Sequence, residues 1–288
     1  MKTIETSNLN LSYKNRKILN DVGLSLISGR ITALIGPNGA GKSSAFRILA
    51  GLVKPETGQA FLDKIQLKSF EELRKHCGYL LESPDFYSYL SGKKNLDLLI
   101  QISNSKTKSE ELLQMVGLQN EANKKVQHYS RGMKQRLGFA QALINEPDFL
   151  ILDEPFNGLD PEVKKEMLEL LVTLKQKEKG ILVSTHLLED IEAIADDFIL
   201  LNKGKVYLKS NMEDNQNERQ KVILFFSKPL DRNKLTLPET TVESNQIRLL
   251  ASISETEELL FKLYKLNLIP YKIIRSSILH DKYMEITK

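Results

Sequence analysis

Apolar residues along this chain keep two rhythms, and the places where each starts and stops sketch the fold. Period-two stretches come first: Leu9, Leu11 and Tyr13, then Ile18, Val22, Leu24 and Leu26. They predict a β-rich segment over residues 3–35, with Asn15-Arg16-Lys17 as a hairpin turn. Ile31–Ile35 is apolar apart from Thr32 and reads as a buried strand. From Lys42 to about Ala50 the spacing turns helical, with Ala45, Ile48 and Leu49 on one face. Lys54–Gly58 has the composition of a turn, and Gln59–Leu67 predicts another strand. Helical spacing then dominates residues 88–146, in predicted helices over 95–102, 109–116 and 134–144, with a polar loop over 103–108.

Strand and helix alternate again beyond that segment. Asp148–Leu152 is an apolar run leading into acids, Val163–Lys177 an amphipathic helix, Ile181–Ser184 a short buried strand, Leu187–Ala195 a helix and Phe198–Leu201 a strand. Gly204 opens a final turn and strand. Such alternation predicts an α/β core, a mostly parallel sheet with helices on both faces. Ser210–Gln220 is polar and reads as a linker. Past it, 221–226, 246–251 and 271–275 read as strands and 255–265 as a helix. The expected organisation is therefore a first domain over 1–210 with a helical part at about 85–146, a linker over 211–220, and a small α+β extension over 221–288. No internal repeat or coiled-coil insertion interrupts it.

Composition narrows the class. Hydrophobic residues are 41% and charged residues 27% of 288, which suits a soluble globular protein with a sizeable core. No apolar run approaches the roughly 18 residues of a spanning helix. The N-terminal residues lack the apolar core of a secretory signal, so export of the chain is disfavoured. One cysteine, Cys77, cannot form an internal disulfide; it reads as a packing residue in a reducing cytoplasm. The net charge of +4 is spread along the chain, which gives little reason to expect nucleic acid as a partner.

The chemistry begins with Gly36-Pro37-Asn38-Gly39-Ala40-Gly41-Lys42-Ser43, which fits G-x-x-x-x-G-K-[ST] between a predicted strand and a predicted helix. Backbone N–H groups of such a loop, extended by Ser44 at the helix start, cradle phosphates, and the helix N-terminus favours the anion. Lys42 would reach the β- and γ-phosphates of ATP, and the Ser43 hydroxyl would bind Mg²⁺. Downstream, Phe149–Leu152 leads into Asp153-Glu154, and a parallel strand would deliver both acids to the edge that carries the loop. Asp153 is then a candidate Mg²⁺ ligand and Glu154 a candidate general base for an attacking water.

Further motifs follow in a fixed order. Tyr129-Ser130-Arg131-Gly132-Met133-Lys134-Gln135 resembles the Leu-Ser-Gly-Gly-Gln signature of ATP-binding cassette (ABC) ATPases, with Arg131 in place of the first glycine and Met133 in place of the glutamine. Asn157-Gly158-Leu159-Asp160 resembles the family's D-loop, and Ser184-Thr185-His186 its switch histidine. The resemblance covers about residues 1–210. It implies a P-loop NTPase core, an N-terminal antiparallel β subdomain and a helical signature subdomain. It also implies a nucleotide-dependent homodimer in which Ser130 and Gly132 meet the γ-phosphate held by the other chain and Asp160 couples the two sites. His186 would contact the γ-phosphate and orient the water. Tyr13 stands where the family has an aromatic that stacks on adenine; the alternative is a core tyrosine. Arg131 either adds charge near that phosphate or points to solvent, and solvent is the favoured reading. Glu82 replaces a glutamine that touches Mg²⁺ and the water; it resembles the subgroup that handles bacitracin and lantibiotics, or else reflects neutral drift. Ile278–Ile286 resembles the final helix of drug-efflux cassettes.

The function implied is the ATP-hydrolysing subunit of a transporter, with export the expected direction, working through a separate transmembrane permease at the cytoplasmic face of the membrane. The alternative is a soluble ATPase of the same type acting on a ribosome or nucleic-acid complex.

Overall fold

Strand β1 (Thr3–Tyr13) turns back into β2 (Arg16–Val22) through Lys14 and Asn15 alone. The turn thus sits one residue earlier than expected, and Arg16 and Lys17 belong to the second strand, because Lys14 itself takes the left-handed backbone (φ 55°) that a two-residue turn needs. The computed structural model describes residues 1–81, 84–186, 191–211, 220–230, 240–275 and 283–286. Two units divide the chain, Met1–Lys209 and Ser210–Lys288.

In the first unit, β1 also pairs with β3 (Ser25–Ile27) and with β5 (Thr57–Leu62), and β5 with β6 (Ile65–Gln66), giving an antiparallel sheet. The single strand expected over 59–67 is a hairpin. Asp63 (φ 50°) and Lys64 (φ 68°) are both left-handed, and the Asp63 carboxylate accepts from Thr3 N at 2.7 Å. A second sheet has the order β11-β10-β4-β9-β8-β7. Its members are β4 (Ile31–Ile35), β7 (Cys77–Leu80), β8 (Phe149–Leu152), β9 (Gly180–Thr185), β10 (Asp197–Asn202) and β11 (Lys205–Asn211). Strands β7, β8, β9, β4 and β10 run parallel. Every residue of β4, β8 and β9 is buried, as expected of strands covered on both faces.

Helix α1 (Lys42–Leu49) buries Phe46, Ile48 and Leu49 in a core shared with Phe149, Ile151 and Leu182. Three helices form the helical part: α2 (Gly92–Ile102), α3 (Ser109–Met115) and α4 (Arg131–Ala142). Helices α2 and α4 start three residues earlier than their apolar spacing suggests. Ser91 and Ser130 cap them, accepting from Lys94 N and Met133 N, each at 3.2 Å, and caps lie outside the periodic stretch. α5 (Pro161–Gln176) begins with proline in its first turn, where the missing N–H costs nothing. Of the helix expected over 187–195, residues 187–190 lie outside the described residues. Ile191 O accepts from Ile194 N and Ala195 N at 3.0 and 2.9 Å, closing a last turn.

Among the described residues, the second unit holds a four-stranded antiparallel sheet in the order β13-β14-β12-β15 and a helix packed on it. It comprises β12 (Gln220–Phe225), β13 (Thr240–Glu243), β14 (Gln246–Ala251), α6 (Ile253–Lys265) and β15 (Lys272–Arg275). Val222, Leu224, Ile247, Leu259 and Leu263 make its core. A capping box starts α6: Glu255 N donates to Ser252 Oγ at 3.2 Å and Ser252 N to Glu255 Oε2 at 2.8 Å. Strand β13 was not expected, since Val242 is its only apolar residue. Of the expected linker, Ser210 and Asn211 complete β11, Gln220 starts β12, and 212–219 lie outside the described residues. Of the last expected helix, only 283–286 are described, as a single helical turn.

Candidate nucleotide site

Parallel strands share a direction, so their C-terminal ends meet at one edge of the sheet. Ile35 of β4 lies beside Thr185 of β9, and Leu152 of β8 beside Val183 of β9. The residues that follow those ends are Gly36, His186 and Asp153-Glu154. One edge therefore receives the start of the phosphate loop, the two acids and the histidine, from segments separated by up to 150 positions in sequence.

The loop itself is held open by its glycines. Gly39 and Gly41 sit at φ +80° and +111°, and a Cβ on Gly41 would come within 2.7 Å of Leu19 Cδ2. Gly41 caps α1, so the first N–H groups of that helix face the loop. Lys42 is only 6% exposed. Its Nζ donates to the carbonyls of Gly36 (2.7 Å) and Pro37 (3.3 Å) and pairs with Glu154 Oε1 at 3.2 Å. The loop opens on a cleft of about 580 Å³ lined by Arg16, Ile18, residues 38–44, Glu154, Asn157 and His186, a size usual for small-molecule sites.

Buried Asp153 accepts a short hydrogen bond from Ser184 Oγ, and the same Oγ accepts from Glu154 N at 2.8 Å. Glu154 takes a left-handed backbone (φ 46°), uncommon for a residue with a Cβ. Its carboxylate joins the loop to the third strand: Oε2 lies 2.8 Å from His186 Nδ1 while Oε1 pairs with Lys42. Lys42, Glu154 and His186 are thus in mutual contact through one carboxylate. Asp153 stands beside them with its second oxygen not engaged by Ser184.

Not every expected residue joins this cluster. Tyr13 is 46% exposed, so the core-tyrosine reading fails; it lies at the end of β1, while its hairpin partner Arg16 lines the cleft. Ser130 is exposed, Gly132 half-buried and Asp160 exposed, and none of the three lines the cleft of its own chain. Glu82 lies outside the described residues. Sequence reading missed Ser184 as the residue that orients both acids, and Arg16 and Asn157 as cleft walls. Ser184 stands directly before the Thr185-His186 pair, but its role needs the β8–β9 pairing. Cys77 is buried as expected, and burial pushes its thiol up to about 12.

A family model described as ABC transporter matches residues 19–157. The chain is 33% identical over 304 aligned positions to YhcH of Bacillus subtilis, an uncharacterised ABC transporter ATP-binding protein, with 100% of this chain and 97% of YhcH covered. It is 39% identical to the lantibiotic transport ATP-binding protein SrtF of Streptococcus pyogenes, covering 74% of this chain and 93% of SrtF. With the bacitracin transport ATP-binding protein BcrA of Bacillus licheniformis it shares 37% identity, covering 80% of this chain and 76% of BcrA. Among solved structures, an ATP-binding subunit of an ABC transporter superposes with a TM-score of 0.66 at 33% identity, over 74% of this chain and 91% of that one. The dimeric cassette MJ0796 bound to ADP and phosphate superposes with a TM-score of 0.65 at 25% identity, over 73% of this chain and 98% of that one.

Proposed function

This chain belongs to the ATP-binding subunits of ABC transporters, and from that premise we propose how its residues hydrolyse ATP and what the hydrolysis drives. It is an ATPase of that family; a soluble ribosome or nucleic-acid ATPase is not favoured, since relatives named for transport align along most of their length. In the proposed site, the N–H groups of residues 38–44 and the Lys42 ammonium hold the triphosphate. The adenine lies toward the β1–β2 hairpin, against exposed Tyr13. Ser43 and Asp153 offer a hydroxyl and a buried carboxylate, hard oxygen donors that suit Mg²⁺. When bound, that ion would neutralise charge on the phosphate oxygens.

Hydrolysis then proceeds by attack of water on the γ-phosphorus. The bond to the bridging oxygen breaks, ADP departs with the electron pair, and Glu154 takes the proton of the water. His186, 2.8 Å from that carboxylate, orients it and the γ-phosphate. Ser130 and Gly132 of a second copy complete the site across the nucleotide, with Asp160 linking the two sites. Residues 1–210 act as the nucleotide-binding domain. The segment 85–128, together with Glu82, passes the motion to a separate membrane-spanning partner at the cytoplasmic face. Among the described residues, no helix of this chain is long and apolar enough to cross a membrane itself. The names of SrtF and BcrA support transport of a peptide antibiotic or similar compound as the work done, with export as the proposed direction.

One observation carries the mechanism: the Glu154 carboxylate is held between Lys42 and His186 at the edge that receives the phosphate loop. Glu154→Gln keeps the shape and removes the base. It should bind ATP as the parent does and lower kcat by about 10²-fold or more. Parental turnover in that variant, measured as phosphate release, would refute the assignment.

A further inference from the structure

Arg131 occupies the first glycine position of the signature motif; its side chain is exposed to solvent, as expected, and its guanidinium at the same time lies against a turn of its own chain. A Cβ built on Gly158 would lie 2.5 Å from Arg131 Cζ and 2.9 Å from Arg131 Nε, so the guanidinium covers the face of that glycine. Gly158 itself is at φ +70°, a turn conformation that glycine adopts without strain. On α4, residues 131 and 135 are one turn apart and share a face. Gln135 is buried there, and its Nε2 donates to Pro155 O at 3.0 Å. Between them, a Cβ on Gly132 would sit 3.8 Å from both Leu159 Cδ2 and Val163 Cγ1. The start of α4 therefore holds residues 155–158 at two points, Arg131 over Gly158 and Gln135 on Pro155. That segment leaves directly from Glu154: Asn157 N donates to Glu154 O at 3.1 Å, and Asn157 lines the cleft.

We infer that Arg131 is a positioning residue for hydrolysis within its own chain. By covering Gly158 it fixes the turn 157–160, and through Asn157 it fixes the backbone from which Glu154 addresses the water. This rests on the reading of Glu154 as the base. A contact with the nucleotide of an opposed chain would act differently, since it would alter ATP affinity and make the effect of Arg131 independent of Gly158.

Steady-state ATP hydrolysis by the full chain separates the two. Arg131→Ala should lower kcat about tenfold, because small misplacements of a reacting group are costly, with KM for ATP within about twofold of the parent and an unchanged melting temperature. Arg131→Lys should recover only part of the loss, lacking the planar guanidinium. Gly158→Ala both displaces the guanidinium and strains a left-handed backbone, so it should lose more kcat than Arg131→Ala, and the double variant should be no worse than Gly158→Ala alone. If Arg131→Ala does not fold, Arg131→Met, which keeps length and drops the charge, carries the same expectation. Parental kcat in Arg131→Ala, a raised KM with kcat unchanged, or additive losses in the double variant would each overturn the inference. Glu154→Gln run alongside identifies the source of a failure: if it is inactive while Arg131→Ala is normal, only the role of Arg131 falls.

Discussion

At the scale of single residues, local chemistry was the legible part. A glycine loop ending in Lys42-Ser43 and a strand ending in Asp153-Glu154 announce themselves because their neighbours in sequence supply most of the reason for them. Ser184 did not, because its function is to bridge two acids on the adjacent strand, and adjacency is not written in either segment alone. Tyr13 was ambiguous for a related reason, since period-two spacing gives the face of a strand but not whether that face is covered at its tip. Cys77 shows the consequence of burial. Its thiol is pushed up to about 12 by desolvation, and only the thiolate is reactive. In the native chain at pH 8 a thiol reagent should label it far more slowly than in denaturant, as followed by mass spectrometry; fast stoichiometric labelling of folded protein would contradict its burial. The sign for stability is also fixed. The folded value lies above the ordinary 9.0, so the Cys77 contribution is full below about pH 9 and is lost as pH climbs toward 12.

At the scale of elements, the hydrophobic rhythm found the core members and misjudged their ends. Long periodic stretches such as α5 and fully apolar runs such as β8 needed no partner to be recognised. Boundaries depended on groups outside the rhythm: the serine caps of α2 and α4, and the Asp63-Lys64 turn that splits one expected strand into β5 and β6. Strand β13 was invisible because Thr240-Thr241-Val242-Glu243 carries β-branched residues but little alternation. Asn95 illustrates an element whose polar interior matters more than its apolar face. Only 2% exposed, it accepts from Tyr87 N at 2.9 Å and donates to Tyr87 O and Ser91 O at 3.1 and 2.9 Å, tying the chain before α2 to its first turn. Asn95→Leu matches the volume and abandons those backbone groups. It should lower the free energy of unfolding by about 1–3 kcal/mol, read from urea titration at constant m-value. A shift below about 0.5 kcal/mol would mean that water satisfies the groups instead.

At the scale of the whole molecule, the decisive fact is a separation in space. Lys42, Glu154 and His186 share one cleft, and Ser130, Gly132 and Asp160 are not among its walls. If the second set serves the first, it must do so from another copy, related by a two-fold axis so that each chain gives and receives the same contacts. That symmetry makes a sharp prediction. A Lys42→Ala chain keeps a sound signature helix and loses its phosphate grip; a Ser130→Phe chain keeps the grip and blocks the signature. Each should be nearly inactive alone, because both sites of each homodimer contain one damaged half. Mixed in equal amounts, half the dimers become hybrids, and each hybrid holds one site built from two intact halves and one built from two damaged ones. Activity should return to about a quarter of the parental rate per site if the two sites act independently. The recovery should fade on dilution, as an association-dependent rate must. A mixture as silent as its folded components would place Ser130 outside the site. Recovery that survives dilution below any dimer would mean that one chain completes its own cleft, and the two-copy arrangement would have to be abandoned.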